Sequence, residues 1–220
     1  MLAGHLVLIN WTLYVWSVNA GHTLDAAMGY FINPLVSALL GVLVLRERLS
    51  PAQWMAFGIG IVAVVVLMVG HSSTPLISLG LAMSFGLYGL VKKVLGVAVK
   101  PAVGLIVETL ATTPLALVYI GWGVAQGKST FTGSYSLLLV SAGILTAVPL
   151  LMFAFAASRI SLTTLGILQY ISPLLQFLVG LFLFGEQMPW QRWVGFSLVW
   201  VAVVMSVSYT HLTLPTTPYV

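Results

Sequence analysis

The chain has 220 residues, of which 60% are hydrophobic and only 5% are charged. No soluble domain of this size can keep so much apolar side chain away from water, so the composition excludes a soluble domain and indicates a polytopic membrane protein. The formal net charge of +4 is too small to indicate nucleic-acid binding, and the lack of cysteine excludes disulfides and thiolate metal sites.

Turn residues and charges divide the chain into eight apolar stretches, which we interpret as transmembrane helices. Each stretch is about 18–24 residues long, enough to cross a hydrocarbon core about 30 Å thick at 1.5 Å per residue. Because backbone groups must be hydrogen-bonded inside lipid, continuous apolar runs of this length favour helices. In chain order, the predicted helices span residues 1–19, 24–45, 51–70, 74–95, 101–122, 134–157, 161–184 and 188–207.

The connections between these stretches carry unequal numbers of basic residues on the two sides of the membrane. Short connections make neighbouring helices antiparallel, so alternate connections lie on the same side. One side carries six basic residues, which are Arg46, Arg48, Lys92, Lys93, Lys100 and Arg159. The other side carries only Lys128 and Arg192. The positive-inside rule therefore predicts that the first side is cytoplasmic.

A sequence repeat relates two parts of the chain that are 139 positions apart. Residues 32–65 align with residues 171–204 without a gap. The paired residues include Pro34 with Pro173, Gly41 with Gly180, Glu47 with Glu186 and Trp54 with Trp193. Duplicated membrane segments of opposite orientation are typical of secondary transporters, whose two halves enclose a central site.

The repeat also predicts how the chain is organised. Two predicted helices, residues 74–122, precede the second copy, and their counterparts would lie before Met1. We therefore expect a complete protein of ten helices in two inverted five-helix halves, with a natural eight-helix protein as the alternative. Residues 1–70 would form the last three helices of the first half, and residues 74–206 the second half. Residues 207–220 resemble a translated sequencing adapter and are expected to be a non-native tail, unless they are a short natural polar tail.

Several strings taken together resemble the RarD branch of the EamA-type drug/metabolite transporters. They are GYFINPLVSALLGVLVLRERL, GLAMSFGLYGLVKK, GLIVETL, TAVPLLMFAFAASRISLTTLGILQYISP and FLFGE. The resemblance extends from residue 1 to about residue 205. It implies ten helices in two inverted repeats around a central cavity, and a multi-pass permease of the bacterial inner (plasma) membrane.

These features predict an all-α polytopic membrane protein with eight transmembrane helices of a ten-helix inverted-repeat transporter fold. The predicted function is secondary-active transport of a small organic metabolite or drug by alternating access, with proton coupling as an option. The expected partners are the lipid bilayer and a small-molecule substrate, not nucleic acid, and a homodimer is left open. Nucleotide-binding, zinc-protease and hydrolase motifs are absent from the sequence, so we expect no cofactor and no enzymatic activity. The alternatives are a membrane-embedded enzyme and a non-functional fragment of the transporter.

Glu108 is the strongest candidate for a functional side chain. It lies about 12 Å into the helix predicted at 101–122, where a carboxylate costs about 2.5–3.5 kcal/mol on insertion scales. The functional interpretation is substrate contact or proton coupling. The structural alternative is a hydrogen bond to a neighbouring helix, or to Lys92 or Lys93.

Seven other polar or aromatic residues lie in corresponding regions of the two copies, near the middle of the membrane. They are Asn10, Trp11, Tyr30, Asn33, Gln169, Tyr170 and Gln176. The aromatic rings suit stacking on a flat organic solute, and the amides suit fixing its orientation. The alternative for each is a hydrogen bond between helices, worth about 0.6 kcal/mol on average.

Other charged residues are interpreted as structural. Glu47 and Glu186 are predicted to lie at the membrane interface. The basic residues on the cytoplasmic side are interpreted chiefly as orientation anchors, with a role at an inward-facing gate as the alternative for Lys92, Lys93, Lys100 and Arg159.

Overall fold

A computed structural model describes residues 1–68, 75–127 and 134–172, together with residues 175, 190, 193–195, 197, 198, 200 and 201. The described residues contain helices and turns and no strand, as the composition predicts. The seven helices are α1 (Leu2–Asn19), α2 (Thr23–Leu43), α3 (Pro51–Met68), α4 (Pro75–Leu95), α5 (Pro101–Ala125), α6 (Ser134–Arg159) and α7 (Leu162–Leu168).

The first six helices agree with the predicted stretches to within three residues at each end. Proline begins three of them, at Pro51, Pro75 and Pro101. Proline suits this position because the first helical N–H has no intrahelical partner and the fixed φ angle of proline is already helical.

Three of the described helices are long and apolar enough to cross a membrane by themselves. They span Leu76–Leu95, Pro101–Ala125 and Ser136–Arg159, and shorter apolar helices span Met28–Leu43 and Pro51–Val66. The helical membrane-protein class is thus confirmed, whereas eight spans and a ten-helix inverted repeat stay predictions. Most of the eighth stretch, 188–207, lies outside the described residues.

The seventh stretch differs from its prediction as one helix over 161–184. The helix ends at Leu168, a turn follows at Gln169 and Tyr170, and helical conformation returns at residues 171 and 172. The residue at position 173 is proline, which has no N–H to donate to the carbonyl of Gln169, and this favours a break at that point.

Two central helices, α2 and α4, organise the packing. Helix α2 contacts α1, α3, α4 and α7, and helix α4 contacts α1, α2, α6 and α7. Small residues allow these contacts: a Cβ added to Gly29 of α2 would lie 2.9 Å from the Cβ of Leu81, and one added to Gly166 of α7 would lie 2.9 Å from the carbonyl oxygen of Pro34. Such close approaches are typical of helix pairs in membranes.

The starts of two helices follow the sequence repeat. Helices α2 and α7 begin at Thr23 and Leu162, which are 139 positions apart, and the preceding helices end at Asn19 and Arg159, which are 140 apart; the ends of α2 and α7, at Leu43 and Leu168, do not correspond. This agreement supports the register of the repeat. The opposite orientation of the two halves stays a prediction, and so does the division into 1–70, 74–206 and 207–220, since residues 69–74 and 207–220 are outside the described part.

Candidate functional site

Glu108 forms a buried ion pair with Lys92. The Nζ atom of Lys92 donates to Oε1 of Glu108 at 2.5 Å, and each side chain is only 5% exposed. Helix α4 supplies the lysine in its last turn, and α5 supplies the carboxylate about two turns after its start. The sequence left a functional and a structural interpretation open for Glu108. The structure contains the bond with Lys92, which is part of the structural interpretation.

This ion pair is enclosed by aromatic and small residues. The Nζ atom of Lys92 lies 5.4 Å from the centre of the Tyr88 ring, a favourable cation–π arrangement. Tyr88 is fully buried and stacks on Phe153 of α6, with ring centres 5.7 Å apart. On the other side, Gly4 of α1 packs on the backbone of Glu108, since an added Cβ would lie 2.9 Å from its carbonyl oxygen.

The second carboxylate oxygen of Glu108 lacks a partner. Among the described residues, nothing donates a hydrogen bond to Oε2, although Glu108 is 4% exposed. A small pocket borders this carboxylate. Its lining residues come from the end of α4, the connection to α5, the start of α5 and one position of α6: Lys92, Leu95, Gly96, Val99, Lys100, Pro101, Gly104, Glu108 and Ala154. Its volume of about 20 Å³ holds one or two water molecules but no organic solute.

The interpretation of the lysines as orientation anchors was wrong for Lys92. Its side chain points into the helix bundle, where the carboxylate of Glu108 compensates the charge. The adjacent Lys93 is half-buried and donates to the carbonyl oxygen of Ile160, between α6 and α7. Successive residues on a helix point about 100° apart, so neighbouring lysines reach different helices.

A second polar group joins α2 to the end of α7. The Nδ2 atom of Asn33 donates to Oε1 of Gln169 across these elements. Asn33 lies at the centre of α2, ten residues from each end and therefore about 15 Å from both. The two residues come from the predicted first and second halves, so the structure joins two candidates that are 136 positions apart in sequence.

These amides keep unused hydrogen-bonding capacity. Within the described part of the chain, Oδ1 of Asn33, Nε2 of Gln169 and the hydroxyl of Tyr170 are buried without a partner. Buried polar groups usually have one, because leaving such a group unpaired costs about 1–3 kcal/mol. Unpaired groups at mid-helix depth are therefore available to a ligand.

Aromatic rings extend this amide pair towards α1. Tyr30 lies one turn before Asn33 on α2, and its ring meets Tyr14 of α1 edge-on with centres 5.8 Å apart. Tyr14 in turn meets Trp11 edge-on at 6.2 Å. We call Trp11, Tyr14, Tyr30, Asn33 and Gln169 the aromatic–amide row. Tyr14 was missed from the sequence, although its spacing of three from Trp11 places both on one face of a helix.

Two candidates remain: Asn10 has a structural role, and Gln176 lies outside the described residues. Asn10 donates to the carbonyl oxygen of Leu81 at 3.0 Å and to Oγ of Ser84 at 2.9 Å, so its amide links α1 to α4 as the structural alternative predicted. No cluster of three or more histidine or acidic side chains capable of holding a metal occurs among the residues that the structure describes.

Glu47, predicted to be interfacial, binds the start of α7. Its carboxylate accepts hydrogen bonds from the N–H groups of Leu162 at 2.7 Å and Thr163 at 2.9 Å, and from the hydroxyl of Thr163 at 2.8 Å. These N–H groups have no partner within α7, and a carboxylate also complements the positive end of a helix. Gly41 leaves room for this contact, since an added Cβ would lie 2.6 Å from Oε2 of Glu47.

Comparison with known proteins identifies the family. The sequence profile of the EamA-like transporter family matches residues 2–69. A protein named RarD from Escherichia coli K12 is 44% identical, in an alignment that covers 96% of this chain and 73% of the relative. This chain belongs to the EamA-like transporter family. The EamA-like chain is also 50% identical to a protein named RarD from Streptomyces exfoliatus, over 93% of its own length and 65% of that relative. It therefore spans about two thirds of the length of the latter protein.

A solved crystal structure shares the fold of the EamA-like chain. The TM-score is 0.67 at 18% sequence identity, and the match covers 90% of this chain and 73% of the other. Together with the apolar helices, these similarities establish a RarD-like, helical, multi-pass membrane protein.

Proposed function

We propose that this EamA-like chain belongs to a secondary-active transporter, a permease or exporter of a small organic metabolite or drug that works by alternating access in the bacterial inner membrane. The observation that carries the proposal is the hydrogen bond between Asn33 and Gln169, with its unused donor and acceptor. A site built from both halves of a repeat near the middle of the membrane is the arrangement in which rocking of the halves exposes a solute to each side in turn.

The chemistry of the aromatic–amide row supports an uncharged or zwitterionic organic solute. Tyr30 and Tyr14 offer ring faces and edges for contact with a flat molecule, and the amides of Asn33 and Gln169 offer one acceptor and one donor beside them. Binding of a solute would then replace the direct bond between the two amides. Proton coupling through Glu108 is the second part of the proposal.

Loss of either amide is expected to reduce transport strongly. The purified chain in sealed liposomes is assayed for uptake of a panel of radiolabelled organic solutes, with and without an imposed pH gradient. Asn33→Leu and Gln169→Leu should each reduce uptake of a transported solute about tenfold or more, because one unmade hydrogen bond in a buried site costs about 1–3 kcal/mol.

Asn19→Leu is the matched control for this test. Asn19 is exposed, and among the described residues its side chain bonds to the carbonyl oxygen of Val15 in its own helix, so uptake should stay near that of the unaltered chain. Absence of uptake for every solute class would contradict transport by this chain, and the same absence in a protein with all ten predicted helices would contradict the transporter proposal. Equal losses in the control and in the site variants would contradict the assignment of the site.

A further inference from the structure

The ion pair between Lys92 and Glu108 has a charge balance that a proton would change. While Glu108 is ionised, its charge compensates the ammonium of Lys92, and both side chains are 95% buried. A proton on Oε2 would leave the ammonium without a counter-ion in apolar surroundings, which is strongly unfavourable. Protonation of Glu108 and displacement of Lys92 are therefore linked.

The geometry leaves a route for that proton. Oε1 is occupied by Lys92, but Oε2 has no partner among the described residues and belongs to a side chain that lines the pocket. The pocket has room for one or two waters, and the exposed Lys100 and the partly buried Pro101 form part of its wall at the connection between α4 and α5. Glu108 therefore borders space that water can enter from the side predicted to be cytoplasmic, and because Oε2 itself is buried, a proton from that water would reach it when the side chain turns towards the pocket.

Lys92 also has a route out of the pair. It lies in the last turn of α4, and a lysine near a helix end can extend its ammonium towards the membrane surface. The ring of Tyr88 would still border such a movement, because Nζ lies 5.4 Å from its centre.

One further titratable group faces the pair, the hydroxyl of Tyr88, which is buried without a partner among the described residues. The other titratable groups near the pair are engaged elsewhere or exposed. They are Lys93, bonded to the carbonyl of Ile160; His5, bonded to the carbonyl of Met1; Arg159, over the ring of Phe155; and the exposed Lys100. Among the described residues, the carboxylate that balances the charge of Lys92 is thus that of Glu108.

We propose that the carboxyl group of Glu108 is a proton-binding site beside this pocket, with the partnerless Oε2 as the atom that takes the proton, and that Lys92 is the positioning residue that holds the carboxyl group in its ionised form. The inference rests on the proposed transport function only for its purpose, since the site itself can be tested without any solute.

Dicyclohexylcarbodiimide provides the test, because it adds to protonated carboxyl groups in apolar surroundings. The full chain in detergent is treated with this reagent, and modified residues are located and quantified by peptide mass spectrometry. The sequence contains only four acidic residues, Asp25, Glu47, Glu108 and Glu186, so assignment is direct. Labelling of Glu108, expressed relative to Glu47, should rise as the pH is lowered.

Lys92→Met should raise the labelling of Glu108 at neutral pH by about tenfold or more, since a buried carboxyl group without a counter-ion binds a proton. Lys92→Arg should label like the unaltered chain.

Labelling as a function of pH is measured on the unaltered chain, so this result does not depend on whether a variant folds. Labelling of Glu108 that does not change with pH relative to Glu47 would overturn the inference, and so would equal labelling in a folded Lys92→Met protein. Failure of solute uptake with pH-dependent labelling intact would count against the transporter proposal alone.

Discussion

Replacing Lys92 with methionine is expected to lower the free energy of unfolding by about 3–5 kcal/mol, the usual cost of removing one partner of a buried ion pair. The physical reason is that Glu108 would keep its buried position but lose its counter-ion at 2.5 Å. Its carboxyl group must then either stay charged in apolar surroundings or take up a proton from neutral solution, and both cost free energy. Reversible unfolding of the chain in mixed detergent micelles, followed by circular dichroism, measures this loss.

The matched control for that experiment is Lys100→Met. Lys100 lines the same pocket but is exposed, so the change should be within about 0.5 kcal/mol. Adding Glu108→Leu to Lys92→Met should recover most of the lost stability, because an apolar pair needs no charge compensation. Equal effects of the two lysine substitutions, or no recovery in the double variant, would show that the pair is not a coupled buried unit.

The pairing also changes how the role of Glu108 must be tested. From the sequence alone, Glu108→Gln is expected to remove pH-driven flux and leave folding intact. In the structure, that substitution leaves the ammonium of Lys92 buried without a counter-ion. Flux should therefore be measured in Glu108→Gln combined with Lys92→Met, which removes both charges together.

Replacing Glu47 with alanine is expected to have the second largest effect. Three hydrogen bonds of 2.7–2.9 Å to Leu162 and Thr163 would be lost together. One hydrogen bond to a charged group contributes about 1.5–3 kcal/mol, and we expect a loss of at least that size in the free energy of unfolding. Amide hydrogen exchange at Leu162 and Thr163 should become faster, since their N–H groups have no partner within α7.

Two further variants separate the carboxylate contact from general effects of the loop. Glu47→Gln keeps one acceptor oxygen and should retain part of the stability. Arg48→Ala removes the exposed neighbouring side chain and should change little. Unchanged exchange at Leu162 and Thr163 in Glu47→Ala would contradict the anchoring role.

The contact of Glu47 with α7 also bears on the proposed transport cycle. It joins the connection after α2 to the start of α7, which belong to different predicted halves, on the side that carries most of the basic residues. In the proposed inverted arrangement, a contact of this kind would hold the two predicted halves together at one membrane surface. Movement of the halves apart on that surface would require these three bonds to break.

Helix positions could be predicted from the sequence because apolar length and proline placement are local properties. The limits of α1 to α6 follow from them to within three residues. The apolar pattern of 161–184 predicts one continuous helix, in which Pro173 favours a kink, and it does not predict that the helix ends at Leu168.

The partners of the polar residues could not be derived in the same way. Lys92 and Lys93 are equivalent in sequence, and only the rotation of α4 within the bundle decides which one reaches Glu108. The bonds of Glu47 with Leu162 and Thr163 span more than a hundred positions and carry no local pattern. Asn33 and Gln169 were both identified as candidates because of the repeat, but their direct contact depends on how α2 packs on α7.

The central claim is that two inverted halves enclose a polar site between Asn33 and Gln169. Single cysteines test it most directly, because the chain contains none of its own. Arg48→Cys and Gln187→Cys place a thiol at equivalent positions of the two copies, and each is treated in intact cells and in permeabilised cells with a maleimide that cannot cross the membrane. Inverted halves predict that the cysteine at position 187 reacts in intact cells, whereas the one at position 48 reacts only after permeabilisation. Reaction of both thiols from the same side would contradict the inverted arrangement.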